Sequence, residues 1–345
     1  MGLLLELFSL HRAEQGHECM AEQKLIIGRD NAVEAIAKFF ANKSRICLVT
    51  GGASYGFCGA EEFIADSLRN CAHEPGITHL AVRSANPNVG TVQGLLSEIR
   101  RPVDGFIAVG GGTVIDTAKL LNLAIVSERS IKELLNSKTA PSNVLPCFAV
   151  PTTAGTGAEA TRFAVCYEGE TKYSIDFEVI RPSIVALVTE FPSTQTPYQN
   201  ATTNFDAYAQ AVESLWAKGA TDESKRYANR ALALMNEDKW LEASYWAGRA
   251  IDISRTTAAH AFSYYLTSHY GIPHGHAVYM VFEYICRNNG HPEYIKTVPE
   301  LKTLREFAAE KGMGGPSLVE ELFAHVNPKR LGNNPVEVRK ESFNV

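Results

Sequence analysis

At 345 residues, with 45% hydrophobic and 21% charged side chains, the chain has the makeup of a globular protein of about two domains. Its net charge of -5 offers no basic footprint and argues against nucleic acid as a partner. No apolar run reaches membrane-spanning length, so a membrane partner is not expected either. The cysteines at 19, 47, 58, 71, 147, 166 and 286 form no C-x-x-C pair. That scatter fits buried free thiols in a reducing, cytoplasmic compartment. The N-terminal M-G-L-L-L-E-L-F-S-L carries Glu6 and lacks both a basic lead and a small-residue cleavage site, so it does not read as a signal peptide. Residues 1–19 fit nothing that follows and are expected to be an extension ahead of a start at Met20.

Residues 20–190 are expected to form one domain, and over 23–150 two periods alternate. Strand-length apolar runs stand at 24–28, 45–50, 78–83, 105–110 and 146–150. Amphipathic helical patterns fill 30–41, 58–71, 90–100 and 112–126. Continuous apolar strands separated by such helices predict a parallel sheet covered on both faces, an α/β domain. Ligands of these sheets bind beyond the carboxyl ends of the strands. Three of the loops there are rich in glycine or threonine: G-G-A-S-Y-G (51–56), G-G-G-T (110–113) and P-T-T-A-G-T-G-A-E (151–159). Glycine lets the backbone approach a phosphate, and the following helix N-terminus offers unpaired N–H groups to it. Three such loops at one sheet edge predict a Rossmann-like dinucleotide site, although the spacing is not G-x-G-x-x-G. Many NAD sites place a carboxylate after the second strand to hold the ribose 2′-OH. Here Gly51, Gly52 and Ser54 stand instead, which favours NADP over NAD.

The stretches 162–167, 172–177 and 183–188 read as further strands, with a hairpin closing this domain. A Pro-rich linker, 190–198, follows. From 191 to 345 the chain is expected to be all-α, with helices at 202–217, 222–235, 238–254, 256–269, 275–288, 299–311 and 316–326. The last dozen residues look like a helix cut short.

Four histidines, His260, His269, His274 and His276, fall within seventeen residues. Asp206 and Gln210 share a helix face at i and i+4. One carboxylate, two imidazoles at His260 and His274, and an amide oxygen are a reasonable set for a divalent metal. Each residue also has a plain structural alternative: Asp206 as an N-cap, His260 as a core histidine and Gln210 as a solvated side chain.

The motifs G-G-G-T-V-I-D-T-A-K (110–119), P-T-T-A-G-T-G-A-E (151–159) and D-A-Y-A-Q-A-V-E (206–213), followed by His260 and His274, resemble the iron-containing (group III) alcohol dehydrogenases over residues 20–340. The resemblance implies a dehydroquinate synthase-like architecture, a dinucleotide-binding α/β domain and an all-α domain with cofactor and metal in the cleft between. Carried over by position, Gly110, Gly111, Gly112 and Thr113 would hold the pyrophosphate, with Asp116 and Lys119 completing that motif. Thr152, Thr153 and Thr156 would contact the cofactor, and Lys172 its ribose. Asp206, His260 and His274 match three metal ligands. The fourth ligand of the family is a histidine, where this chain has Gln210, and a further histidine of many members is replaced by Tyr264. An amide oxygen is the weaker ligand, so iron, zinc or manganese are all compatible. Tyr264 or His276 would return the proton to the product.

A narrower likeness, carried by D-x-x-x-Q and by S-R-T-T-A-A-H-A-F-S-Y-Y-L-T-S-H-Y-G-I-P-H-G-H-A, is to the phosphonoacetaldehyde reductase branch. It implies reduction of phosphonoacetaldehyde to 2-hydroxyethylphosphonate in phosphonate natural-product biosynthesis, by an enzyme that could pair as a homodimer. A dianionic substrate needs cationic donors, with Arg162, Arg255, Lys172 and His276 as candidates. The competing expectations are a general short-chain aldehyde or polyol dehydrogenase, a dehydroquinate synthase-like lyase, and a non-catalytic dinucleotide-binding protein.

Overall fold

The computed structural model describes residues 23–71, 75–169 and 171–345, so the expected extension over 1–19 lies outside them. In chain order come β1 (Lys24–Ile27), α1 (Arg29–Phe40), β2 (Arg45–Gly51), α2 (Ala53–Phe57), α3 (Ala60–Arg69), β3 (Gly76–Val82), α4 (Val89–Glu98), β4 (Gly105–Gly110), α5 (Gly112–Ser127), α6 (Ile131–Leu135) and β5 (Cys147–Pro151). A hairpin of β6 (Phe163–Glu168) and β7 (Thr171–Asp176) follows, and β8 (Ile184–Leu187) returns to the main sheet. That sheet has the order β1-β8-β5-β4-β2-β3, and every pairing in it is parallel.

The unbroken apolar strands are explained by cover on both faces. Cys47, Val49, Phe106 and Ala108 pack with Ile115 and Ala118 of α5, whereas Ile46, Leu48, Ile107 and Val109 pack with Ile36, Phe40 and Phe63 on the other side. Strand order reverses between β2 and β4, the switch point at which open α/β sheets open a crevice for ligands. The expected hairpin is present, but the third run, β8, enters the parallel sheet between β1 and β5. The helix expected over 58–71 is present as α3 and starts after Gly59, whose φ of 78° only glycine adopts without strain.

The remainder is helical: α7 (Pro197–Trp216), α8 (Asp222–Asn236), α9 (Trp240–Ser254), α10 (Ala258–Tyr270), α11 (His274–Asn288), α12 (Leu304–Glu310), α13 (Gly315–Ala324) and α14 (Pro328–Leu331). Helix α7 starts earlier than its apolar periodicity suggests. Thr196 and Gln199 form a capping box, and Pro197 sits in the first turn where its missing N–H costs nothing. Asp206 therefore lies mid-helix and is no N-cap. Likewise Thr303 and Glu306 box the start of α12 and shorten the helix expected over 299–311. The final residues form no α-helix; Phe343 instead packs edge-on to Phe262, ring centroids 5.2 Å apart. Six described cysteines are free thiols, five of them buried. Among the described residues no helix is long and apolar enough to cross a membrane.

Candidate active site

Two cavities open at the carboxyl ends of the strands. The larger, about 1060 Å³, is walled by Gly51, Gly52 and Ser54 after β2, Gly111 and Thr113 after β4, and Thr152 and Thr153 after β5. The second, about 570 Å³, lies between the sheet edge, the hairpin and the helices. Thr113 lines both, so they meet at the N-terminus of α5. There Gly111 and Gly112 let threonines come close: a Cβ on Gly111 would stand 3.1 Å from Thr153 Oγ1, and one on Gly112 2.7 Å from Thr156 Oγ1. The free N–H groups of the first helical turn stay open to an anionic group. Among the described residues no carboxylate lines the larger cavity, whereas His79 and Arg83 do. Arg83 rises next to Gly52, its Cγ 3.8 Å from where a Cβ on that glycine would be.

The second cavity receives Gly112, Thr113, Asp116, Thr156, Lys172, Asp206, Gln210, Arg255, His260, Tyr264 and His274. Asp206 and Gln210 come from α7, His260 and Tyr264 from α10, and His274 opens α11. Gly275 makes that convergence possible. A Cβ there would collide with the Thr202 carbonyl and lie 3.0 Å from Asp206 Cβ, so only glycine lets α11 approach α7 this closely. One ligand-type atom each of Asp206, His260 and His274 falls within 4.8 Å of the others. Asp206 Oδ1 is 3.1 Å from His260 Nε2 and 3.9 Å from His274 Nε2.

Electrostatics suit a cation at this point. Burial disfavours charge on His260, but Glu213 and Asp206 outweigh it and push the imidazole up to about 10. Burial, with Lys172 and His260 nearby, holds His274 down to about 3 against the pull of Asp206, so its imidazole is neutral and able to ligate a cation. Glu213, fully buried, accepts from His260 Nδ1, from the Thr257 hydroxyl at 2.6 Å and from the Ala259 N–H at 2.9 Å. A carboxylate behind a ligating histidine fixes its tautomer and raises its basicity. Gln210 donates from Nε2 to the Thr156 carbonyl at 3.3 Å, and its buried Oε1 has no hydrogen-bond partner. An unpaired buried oxygen on a residue that lines the same cavity as two imidazoles and a carboxylate fits a divalent metal.

Tyr264, one turn after His260, presents its ring 5.9 Å from that of His274, with Lys172 Nζ 3.7 Å over its face. Burial raises the phenol, but Lys172 and Arg330 overcome it and bring it below its ordinary value.

Four expected site residues stand outside both cavities. Gly110 ends β4, with Val114 filling the space beside it. Lys119 is buried and donates to the carbonyls of Ala158, Thr161 and Phe163, pinning the 151–163 loop to α5. Arg162 pairs with Asp176 at 3.2 Å and packs near Glu178 and Asp252. His276, two residues beyond His274, turns to the opposite face of α11. Both its ring nitrogens are engaged, Nδ1 with the Tyr198 hydroxyl at 2.8 Å and Nε2 with the Lys302 carbonyl at 3.0 Å. Arg255 does line the cavity, but Asp176 neutralises it through both carboxylate oxygens.

Sequence reasoning missed Glu213, Gly275 and Arg330. Glu213 was within reach, since it stands seven residues after Asp206 on the same helix face. Gly275 sits inside H-G-H, where only the packing shows its role. Arg330 lies on α14, with no motif around it.

A family model described as iron-containing alcohol dehydrogenase matches residues 23–189, and the C-terminal model of the same family matches 200–326. The chain is 33% identical over 210 residues to a phosphonoacetaldehyde reductase of Streptomyces viridochromogenes, a match covering 54% of this chain and 53% of that protein. It thus spans about half the length of that relative. An NAD-dependent methanol dehydrogenase of Bacillus methanolicus is 25% identical over 284 residues, 76% of this chain and 74% of the relative. Among solved structures, sulfoacetaldehyde reductase from Bifidobacterium kashiwanohense in complex with NAD+ superposes with a TM-score of 0.75 at 26% identity, covering 94% of this chain and 96% of that one. The site geometry, both family models and these likenesses agree: the chain belongs to the iron-containing alcohol dehydrogenase family.

Proposed function

We propose that the protein is an NADPH-dependent reductase of a short aldehyde bearing an anionic headgroup, with phosphonoacetaldehyde, reduced to 2-hydroxyethylphosphonate, as its substrate. The observation that carries the reading is that the Asp206–His260–His274 cluster opens on the same cavity as Lys172, Lys329 and Arg330, and that this cavity meets the glycine-walled one at Thr113. The likenesses to a phosphonoacetaldehyde and a sulfoacetaldehyde reductase support the same substrate class.

Asp206, His260, His274 and the Gln210 amide oxygen would hold a divalent metal, iron, zinc or manganese. When bound, the metal supplies a Lewis acid and the dihydronicotinamide supplies the hydride. The protein's own part is to place and to protonate. Gly111, Gly112 and Thr113 bind the pyrophosphate at the α5 N-terminus, and Thr153 and Thr156 crowd it from the β5 loop. Arg83, Ser54 and His79, with no carboxylate among them, favour a 2′-phosphate, hence NADP rather than NAD. Tyr264 faces the reacting end and returns the proton to the alkoxide oxygen. Lys172 over its ring favours the phenolate left behind.

Absorbance of NADPH with a panel of aldehydes tests the reading. Consumption fastest with phosphonoacetaldehyde is expected. Consumption limited to uncharged aldehydes would make the protein a general aldehyde reductase, and no net consumption would leave a lyase or a binding protein.

A further inference from the structure

We infer that Arg330 is the residue that selects the anionic headgroup of the substrate. This rests on the anionic-aldehyde reading above and names the side chain responsible for it. Four cationic side chains reach the cavity: Lys172, Arg255, Lys329 and Arg330. They are not equivalent. Arg255 is committed to Asp176 at 2.9 and 3.1 Å. Lys172 is spent over the Tyr264 ring, 3.7 Å from its centroid. Lys329 is exposed at the rim.

Arg330 is half-buried, lies beside Tyr264, and has no carboxylate within ion-pair distance among the described residues. Its guanidinium lies 5.5 Å from the Phe163 ring centroid and hydrogen-bonds the Tyr264 side chain. The backbone that carries it is fixed, because its own N–H donates to Asn327 Oδ1 at 3.0 Å. A guanidinium has five N–H donors, so beside its contact to Tyr264 it can still offer two of them to the oxygens of a phosphonate or sulfonate, a fork that an ammonium lacks. The cluster of Asp206, His260 and His274 lines the same cavity, with the His274 ring 5.9 Å from that of Tyr264. An aldehyde whose anionic end rests on Arg330 therefore turns its carbonyl towards the reacting end.

The test compares phosphonoacetaldehyde with acetaldehyde in wild type, R330M and R330K. The readout is the ratio of the two kcat/KM values. Any loss that Arg330 causes through Tyr264 is common to both substrates and cancels in that ratio. A lost charge-assisted contact should lower the ratio by roughly 10- to 100-fold in R330M, chiefly through KM for phosphonoacetaldehyde, with partial retention in R330K. NADPH binding followed by nicotinamide fluorescence confirms that each variant is folded. A wild type that favours phosphonoacetaldehyde and an R330M that keeps the same ratio would overturn the role of Arg330 and leave the anionic-aldehyde reading standing. A wild type with no preference would overturn both.

Discussion

Glu213 accepts the Nδ1 proton of His260 and so leaves Nε2 as the atom turned to Asp206 and the cavity. The pair reads as a carboxylate standing behind a metal ligand, with Thr257 and Ala259 donating to the same carboxylate and fixing its plane. Replacing Glu213 by Gln keeps the shape and removes the charge. Metal affinity is expected to fall by about 10- to 100-fold. Competition with a chelator measures it, and an unchanged affinity would reduce Glu213 to a packing role.

Gln210 is held by the Thr156 carbonyl so that Oε1 has nothing else to bind. Gln210→His would supply the imidazole that a fourth ligand normally provides and should bind divalent metal more tightly. Gln210→Leu should weaken it. If all three proteins titrate alike with zinc, Oε1 is not a ligand.

His274→Ala removes the neutral imidazole at the α11 N-terminus. Turnover should be abolished, while NADPH titration changes little because the glycine-walled cavity is untouched. Full activity in this variant would remove the metal cluster from the reaction.

The parallel sheet, the helical half and three of the metal-ligand candidates were legible because each depends on local signals: continuous apolar runs, 3.6-residue periodicity, and a carboxylate and histidines on helix faces. Lys119 and His276 were misplaced for the converse reason. A lysine in G-G-G-T-V-I-D-T-A-K looks like a phosphate partner, yet position 119 points through the sheet side of α5 to three carbonyls 39 to 44 residues away. His276 is two residues from His274, about 200° round the helix, and so cannot share its face. Arg330 depended on where α14 docks, which no local pattern encodes.

Lys119→Met should therefore act on stability, not on cofactor affinity. The substitution takes a charged donor away from three buried carbonyls and leaves Asp116 without its cation 3.6 Å away. A loss of about 3 kcal/mol or more is expected in urea unfolding. NADPH affinity of the folded fraction should stay within about threefold, since one pKa-sized step is tenfold and no cofactor contact is removed. A selective loss of NADPH affinity at unchanged stability would return Lys119 to the cofactor site.

Glu159, at the end of the same loop, is 2% exposed, and its Oε1 has no hydrogen-bond partner. Burial pushes its carboxyl up to about 7, only partly offset by its own backbone N–H and by Lys119. In the unfolded chain the group titrates near 4.5. Between those values the folded state binds the extra proton, so stability falls as pH rises from 4.5 to 7 and levels off above. The ionised group costs on the order of 3 kcal/mol above pH 7. Glu159→Gln keeps the volume and cannot ionise, so the variant should gain on the parent steadily across that interval and hold a constant advantage beyond it. Urea unfolding of both proteins at pH 5, 6, 7 and 8 isolates this group, because every other titration is common to the two. Parallel stability profiles would mean that Glu159 is ionised in the folded protein with a partner or water at Oε1.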